Sequence, residues 1–316
     1  MSRIAFLFPG QGSHAVGMGA DLLRSDPWVR DHVQTVSSFV GEDVERICLK
    51  GPERKLMQSA IVQPLLTIMS MGYARKLAAC GIVADIVAGH SLGEISALAQ
   101  SGALTDEFAV QVAMRRGMLM DEAAAQTPGG MVAVFRPLAW VEALLQKLAL
   151  QDQVFVANDN ADKQVVVSAT RDQLADFVRL ANAEEAGCCK PLRVSGPWHT
   201  PWLAGACAVF TDWLETVPFQ SPRIAFVANA TGCVETDPAR LRYFATHQLT
   251  GRVNWRSSMQ TLRQHDVETI FEVGPGRVLA GLARLNGFGN ETAVRNVDSI
   301  RAVTSVCNDY SAGGGK

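Results

Sequence analysis

The chain has 316 residues, enough for one large domain or two unequal ones that bury a sizeable core. Hydrophobic residues make up 48% and charged residues 19%, which excludes a disordered, collagen-like or coiled-coil chain. The 29 basic and 31 acidic residues leave a net charge of −2, so there is no global attraction to nucleic acid or to an anionic membrane.

Ile4–Phe8 reads as a buried strand ending in the turn Pro9-Gly10-Gln11-Gly12, and it is too short for a signal-peptide core. Gln63–Ala79 reads as a helix, because Leu65, Met69, Tyr73 and Leu77 recur at every fourth position. Gln63, Arg75, Lys76 and Asp85 interrupt the apolar stretch from Ile61 to Ala88, so no membrane span is expected. Ile82–Ala88 reads as a strand, and Gly89-His90-Ser91-Leu92-Gly93 turns sharply into a helix over Glu94–Gln100. Thr105-Asp106 reads as the N-cap of a helix running to about Ala124.

From Gly130 the rhythm changes. Strands are expected at Met131–Phe135, Val154–Asn158, Gln164–Ala169 and Pro191–Ser195, with helices at Trp140–Leu150 and Arg171–Glu184. That β-α-β-β-α-β order predicts a ferredoxin-like unit inserted into an α/β fold with a parallel sheet. The α/β pattern resumes with strands at Ile224–Ala228 and Thr269–Val273. The expected layout is a large part over 1–128, a small one over 129–196, the rest of the large part over 197–305 and a flexible tail over 306–316. Ser311–Lys316, small, polar and glycine-rich, is expected to fray. The seven cysteines show no regular spacing, which predicts neither a disulfide framework nor a zinc site. Scattered thiols fit a reducing compartment, so the chain reads as soluble and cytoplasmic.

The sharpest chemical signal is Gly89–Gly93, a G-x-S-x-G nucleophile elbow between an expected strand and an expected helix. It presents Ser91 at the edge of the sheet and turns the Leu92 N–H toward an oxyanion. Serine needs a base. Of six histidines, His199, in the loop Ser195–Thr200, and His247 are the candidates that position leaves open. Arg116 is either half of a solvated Arg115-Arg116 face or a buried guanidinium whose fork selects a carboxylate-bearing acyl group. No dinucleotide fingerprint, P-loop or H-E-x-x-H helix occurs. From these residues alone the chain is a serine-nucleophile acyl-transfer enzyme whose acyl group is open.

Over about residues 3–300 the sequence also resembles the malonyl-CoA:acyl carrier protein transacylases. The resemblance rests on FPGQGS (Phe8–Ser13), Gln63-Pro64, GHSLGE (Gly89–Glu94), Arg116–Met120, Asn158–Asn160, Gln164–Ser168, His199, Gln248–Trp255 and EVGPG (Glu272–Gly276). It implies an α/β-hydrolase-like large subdomain with an inserted ferredoxin-like one, and a monomer without metal or organic cofactor. It assigns Ser91 as nucleophile, His199 as base, the Gln248 carbonyl as the group orienting that base, and the Gln11 and Leu92 amides as the oxyanion hole. Arg116 would bind the malonyl carboxylate, with Gln63 and Trp198 lining the pocket. The implied reaction moves malonyl from malonyl-CoA to an acyl carrier protein, in fatty-acid or polyketide synthesis. An acyl hydrolase that edits carrier proteins is the alternative, although such relatives tend to lose the arginine; a docking subunit without activity is a third. Trp198 and Asp162 depart from the family pattern. The indole is expected to crowd an α-methyl branch.

Overall fold

The computed structural model describes residues 3–313. A six-stranded sheet has the order β10-β9-β1-β2-β7-β8. Its strands are β1 (Arg3–Phe8), β2 (Ile86–Gly89), β7 (Ala225–Val227), β8 (Val234–Glu235), β9 (Val267–Val273) and β10 (Ala293–Val297). All neighbours are parallel except β7 and β8. Both faces are buried, which explains the unbroken apolar run of β1. Ile4, Phe6 and Phe8 enter one core cluster, while Ala5 and Leu7 enter the one on the opposite face.

The second sheet is antiparallel, with the order β4-β5-β3-β6, from β3 (Gly129–Val134), β4 (Val154–Ala161), β5 (Gln164–Thr170) and β6 (Cys189–Pro191). Its helices, Leu138–Lys147 and Arg171–Glu184, share a separate core with it. This is the ferredoxin-like arrangement expected from the element order. The last strand is a correction: it covers Cys189–Pro191, and past it only the Leu192 N–H still bonds to β3, at the Met131 carbonyl (2.9 Å). The two sheets are tied where β4 meets the loop before Trp255, through Asp159 N–H to the Val253 carbonyl (3.0 Å) and Val253 N–H to the Ala157 carbonyl (2.9 Å).

The helix expected from Gln63 begins a turn earlier, at Ser59, with Pro64 inside it. Its first N–H groups are capped from another helix, since Asp121 accepts from Ser59 N and Ala60 N at 2.9 Å each. The tail is also corrected. Ile300–Gly313 is a helix, Val306 is buried, and Cys307 forms a disulfide with Cys80 at a Cα–Cα distance of 5.9 Å. That pair overturns the expectation of thiols without a disulfide partner. Gly314–Lys316, the end of the segment expected to fray, lie outside the described residues. No helix among the described residues is long and apolar enough to cross a membrane.

Candidate active site

β2 ends at Gly89, and the helix Gly93–Ser101 starts four residues later. So tight a reversal requires Ser91 at φ 51° and no side chain at Gly93, where a Cβ would stand 1.9 Å from the Phe8 carbonyl oxygen of β1. Side chains pin the elbow on both sides. Asn229 Oδ1 accepts from Ser91 N (2.8 Å), Asn229 Nδ2 donates to Gly89 O (2.6 Å), and Gln248 Nε2 donates to Ser91 O (2.9 Å).

Distance separates the two histidines. His199 Nε2 lies 2.8 Å from Ser91 Oγ, whereas exposed His247 stacks on Tyr243 and bonds to its own helix. His199 Nδ1 is 2.8 Å from the Gln248 carbonyl and 3.0 Å from the Gly251 carbonyl. Two acceptors at Nδ1 require a proton there, which leaves Nε2 to accept the serine proton. Burial, followed by the nearby Arg116 cation, lowers the His199 pKa to about 3, so the imidazole is neutral. His199 also holds a positive φ, 61°. Ser91 and His199 are therefore both set in conformations that L-residues seldom adopt.

Arg116 is only 2% exposed, so it is not part of a solvated face. Its Nη1 donates to Gln63 Oε1 (2.8 Å), and its Nη2 donates to Gln248 Oε1 (2.8 Å) and Ser91 Oγ (3.3 Å). Its Nε has no partner. Gln63 does not line the cavity as expected. It is 0% exposed and sits behind the arginine, with Nε2 donating to Gln11 Oε1 (3.2 Å). Among the described residues, the Gln11 and Leu92 backbone N–H groups donate to no protein acceptor, and Leu92 is the N-cap of the elbow helix. Free amides at a helix N-terminus favour a negative oxygen.

A cavity of about 550 Å³ opens onto this group, lined by Ser91, His199 and Arg116 with apolar Met120, Met131, Val166 and Leu282. Trp198 is a buried wall residue whose indole Nε1 has no partner. His90, which also lines the cavity, meets Asn160 Oδ1 at 2.8 Å. Lys190 and Arg193 stand at the same cavity, on the small sheet's last strand and the loop after it. Sequence reasoning missed two residues of the site. Glu94 was visible only as the last letter of GHSLGE, and Asn229 carried no signal because it bonds to residues far away in the chain.

An acyl transferase domain family matches residues 5–286. The chain is 32% identical over 314 residues to the malonyl CoA-acyl carrier protein transacylase of Escherichia coli strain K12, covering 99% of this chain and 98% of that one. The crystal structure of FabD from Acinetobacter baumannii is similar with a TM-score of 0.88 at 32% identity, covering 99% of each chain. A malonyl-transacylase in complex with its type II PKS acyl-carrier protein gives a TM-score of 0.90 at 28% identity, covering 98% of this chain and 100% of that one. A match over nearly the whole chain joins a serine and a histidine already in bonding geometry, and the conclusion is direct: the chain belongs to the acyl transferase domain family and is an acyltransferase.

Proposed function

We propose that this acyltransferase moves a malonyl group from malonyl-CoA to the phosphopantetheine thiol of an acyl carrier protein, through an ester on Ser91. The observation that carries the reading is the buried Arg116 guanidinium, 3.3 Å from Ser91 Oγ in the lining of the cavity. A buried guanidinium beside the serine, bonded only to neutral side chains, favours an acyl group that brings its own carboxylate.

Ser91 Oγ gives its proton to His199 Nε2 and bonds to the thioester carbonyl carbon. The carbonyl oxygen, now negative, is held by the Gln11 and Leu92 N–H groups. When the tetrahedral intermediate collapses, the C–S bond breaks and the CoA sulfur takes the proton back from Nε2. The carrier thiol then reverses these steps, giving its proton to His199 as its sulfur attacks the ester. A malonyl carboxylate also helps the base. By offsetting the Arg116 charge, it removes part of what holds His199 unprotonated.

Trp198 narrows the cavity beside the base. It excludes an α-methyl branch, so Trp198→Ser should raise loading from methylmalonyl-CoA relative to malonyl-CoA; an unchanged ratio would refute this role. Of the arginines that would suit an acidic carrier, Arg193, Arg242 and Arg252, only Arg193 lines the cavity. It and Lys190 supply a basic rim for docking.

Intact-mass measurement after brief exposure to malonyl-CoA tests the reading. A malonyl adduct, absent in Ser91→Ala and discharged by a holo acyl carrier protein, is expected. CoA release by hydrolysis, with no transfer to the carrier, would instead favour an editing hydrolase.

A further inference from the structure

Glu94 is a carboxylate 2% exposed that does not line the cavity and takes no part in the transfer steps above. Its Oε1 accepts from the Asn229 backbone N–H at 2.7 Å, and its Oε2 accepts from Gln248 Nε2. The other end of the same amide, Gln248 Oε1, accepts from Arg116 Nη2 at 2.8 Å. One side-chain amide therefore spans a buried anion and a buried cation, its donor end on the first and its acceptor end on the second. Gln248 and Asn229 are the same two side chains that hold the Ser91 backbone.

We propose that Glu94 is a positioning residue that competes, through the Gln248 amide, with the acyl carboxylate for the charge of Arg116. Loading a dicarboxylic acyl group then draws a proton from solvent onto Glu94, and the preference for malonyl over acetyl depends on pH. This inference rests on the malonyl-transfer reading.

A guanidinium balanced by Glu94 has little free charge left for a second anion, and two carboxylates that share one cation resist being ionised together. Burial raises the Glu94 pKa to about 7, against the Asn229 and Gln248 hydrogen bonds and the Arg116 charge. Burial lowers that of Arg116 to about 10, so the arginine stays charged. The groups facing Glu94 from the Asn229 loop and the Gln248 segment are amides, and the charge acting on it is Arg116 of the helix Asp106–Gln126. The two imidazoles of the site, His90 and His199, are held neutral by burial. Glu94 is thus the group of this cluster that titrates near neutrality. Coupling is reciprocal, so if malonyl loading promotes protonation, deprotonation opposes malonyl loading. With one proton linked, the malonyl-to-acetyl ratio falls by up to about tenfold per pH unit above the Glu94 pKa. Acetyl brings no charge and does not draw on Glu94.

The experiment is acylation of the full chain by malonyl-CoA and acetyl-CoA in parallel, read by intact mass across a pH series spanning neutrality, for the wild type and Glu94→Gln. Taking the ratio of the two adducts from one protein preparation at each pH cancels differences in the folded fraction. The wild-type ratio should fall by at least about tenfold over the alkaline half of the series, and the variant ratio should be flat. A flat wild-type ratio, or the same slope in Glu94→Gln, overturns the proposal. If Glu94→Gln does not fold, infrared difference spectra of the wild type replace it. Loading with 13C-labelled malonyl should produce an unlabelled protonated-carboxyl band that acetyl does not, and its absence overturns the proposal. If malonyl forms no adduct at any pH, the transfer reading fails and this inference falls with it. A malonyl adduct with a flat ratio defeats this inference alone.

Discussion

Ser91 and His199 each occupy a left-handed backbone conformation, which costs a non-glycine residue about 1–2 kcal/mol and persists only where surrounding contacts impose it. The elbow motif announced the first of these strains. Nothing local announced the second, because the partners of His199 are the carbonyls of Gln248 and Gly251, about fifty positions away in the chain. Two predictions belong at this scale. Arg116→Ala should cut acylation by malonyl-CoA roughly 10- to 100-fold, the worth of charged hydrogen bonds, while acetyl-CoA still loads Ser91; equal losses for both esters would show that the arginine is structural. The second concerns acid. Unfolded His199 binds a proton near its ordinary 6.5, but the folded residue does so only near 3. The unfolded state holds more protons in that window, so stability falls as pH drops through it. His199→Asn should flatten this acid limb in denaturant titrations. Comparing the variant with the wild type also separates the effect from Glu94, whose raised pKa acts in the opposite sense.

The helices Ser59–Ala79 and Asp106–Gln126 carry Gln63 and Arg116, and they cross so closely that a Cβ on Gly117 would lie 2.2 Å from the Ser59 carbonyl oxygen. Gly117→Ala should push the pair apart and destabilise the chain by about 1–3 kcal/mol through overpacking, as measured by chemical denaturation. Because the same crossing sets the Gln63–Arg116 bond, malonyl selectivity should fall in parallel; selectivity left intact would uncouple the crossing from the site. The early start of the first helix was not legible, since its cap is Asp121 of the second helix and not a neighbour in sequence. Asp162, whose departure from the family pattern had no evident consequence, pairs with Arg256 at 3.2 Å, and Arg256 also bonds to buried Asp159 at 2.9 Å. This clamp fastens β4, which bears Asn160 of the cavity wall, to the helix Trp255–Gln264.

The C-terminal helix packs Val303 and Val306 into the large core, and its Cys307 is bonded to Cys80 at the end of the Ser59–Ala79 helix. The bridge closes a loop with a sequence separation of 227, so it restricts the unfolded chain strongly, by up to about 5 kcal/mol in the chain-entropy view. Reductant should therefore lower the thermal midpoint of the oxidised wild type and leave a Cys80→Ser, Cys307→Ser double variant unmoved. An equal response in the two proteins would rule the bridge out as a stabilising element.

What the sequence determined by itself was whatever local pattern controls. Short apolar runs and period-four hydrophobicity marked strands and helices, their order predicted the inserted ferredoxin-like unit, and a five-residue elbow pointed to Ser91 as the nucleophile. Resemblance added the roles of His199, Arg116 and Gln248. Tertiary structure decided the rest, because it depended on groups distant in the chain meeting in one low-dielectric space. Burial took Arg116 out of solvent, so it is not a surface charge. It placed Gln63 behind that arginine and ordered the final helix against the core. The same burial set Glu94 and Arg116 on opposite ends of one amide.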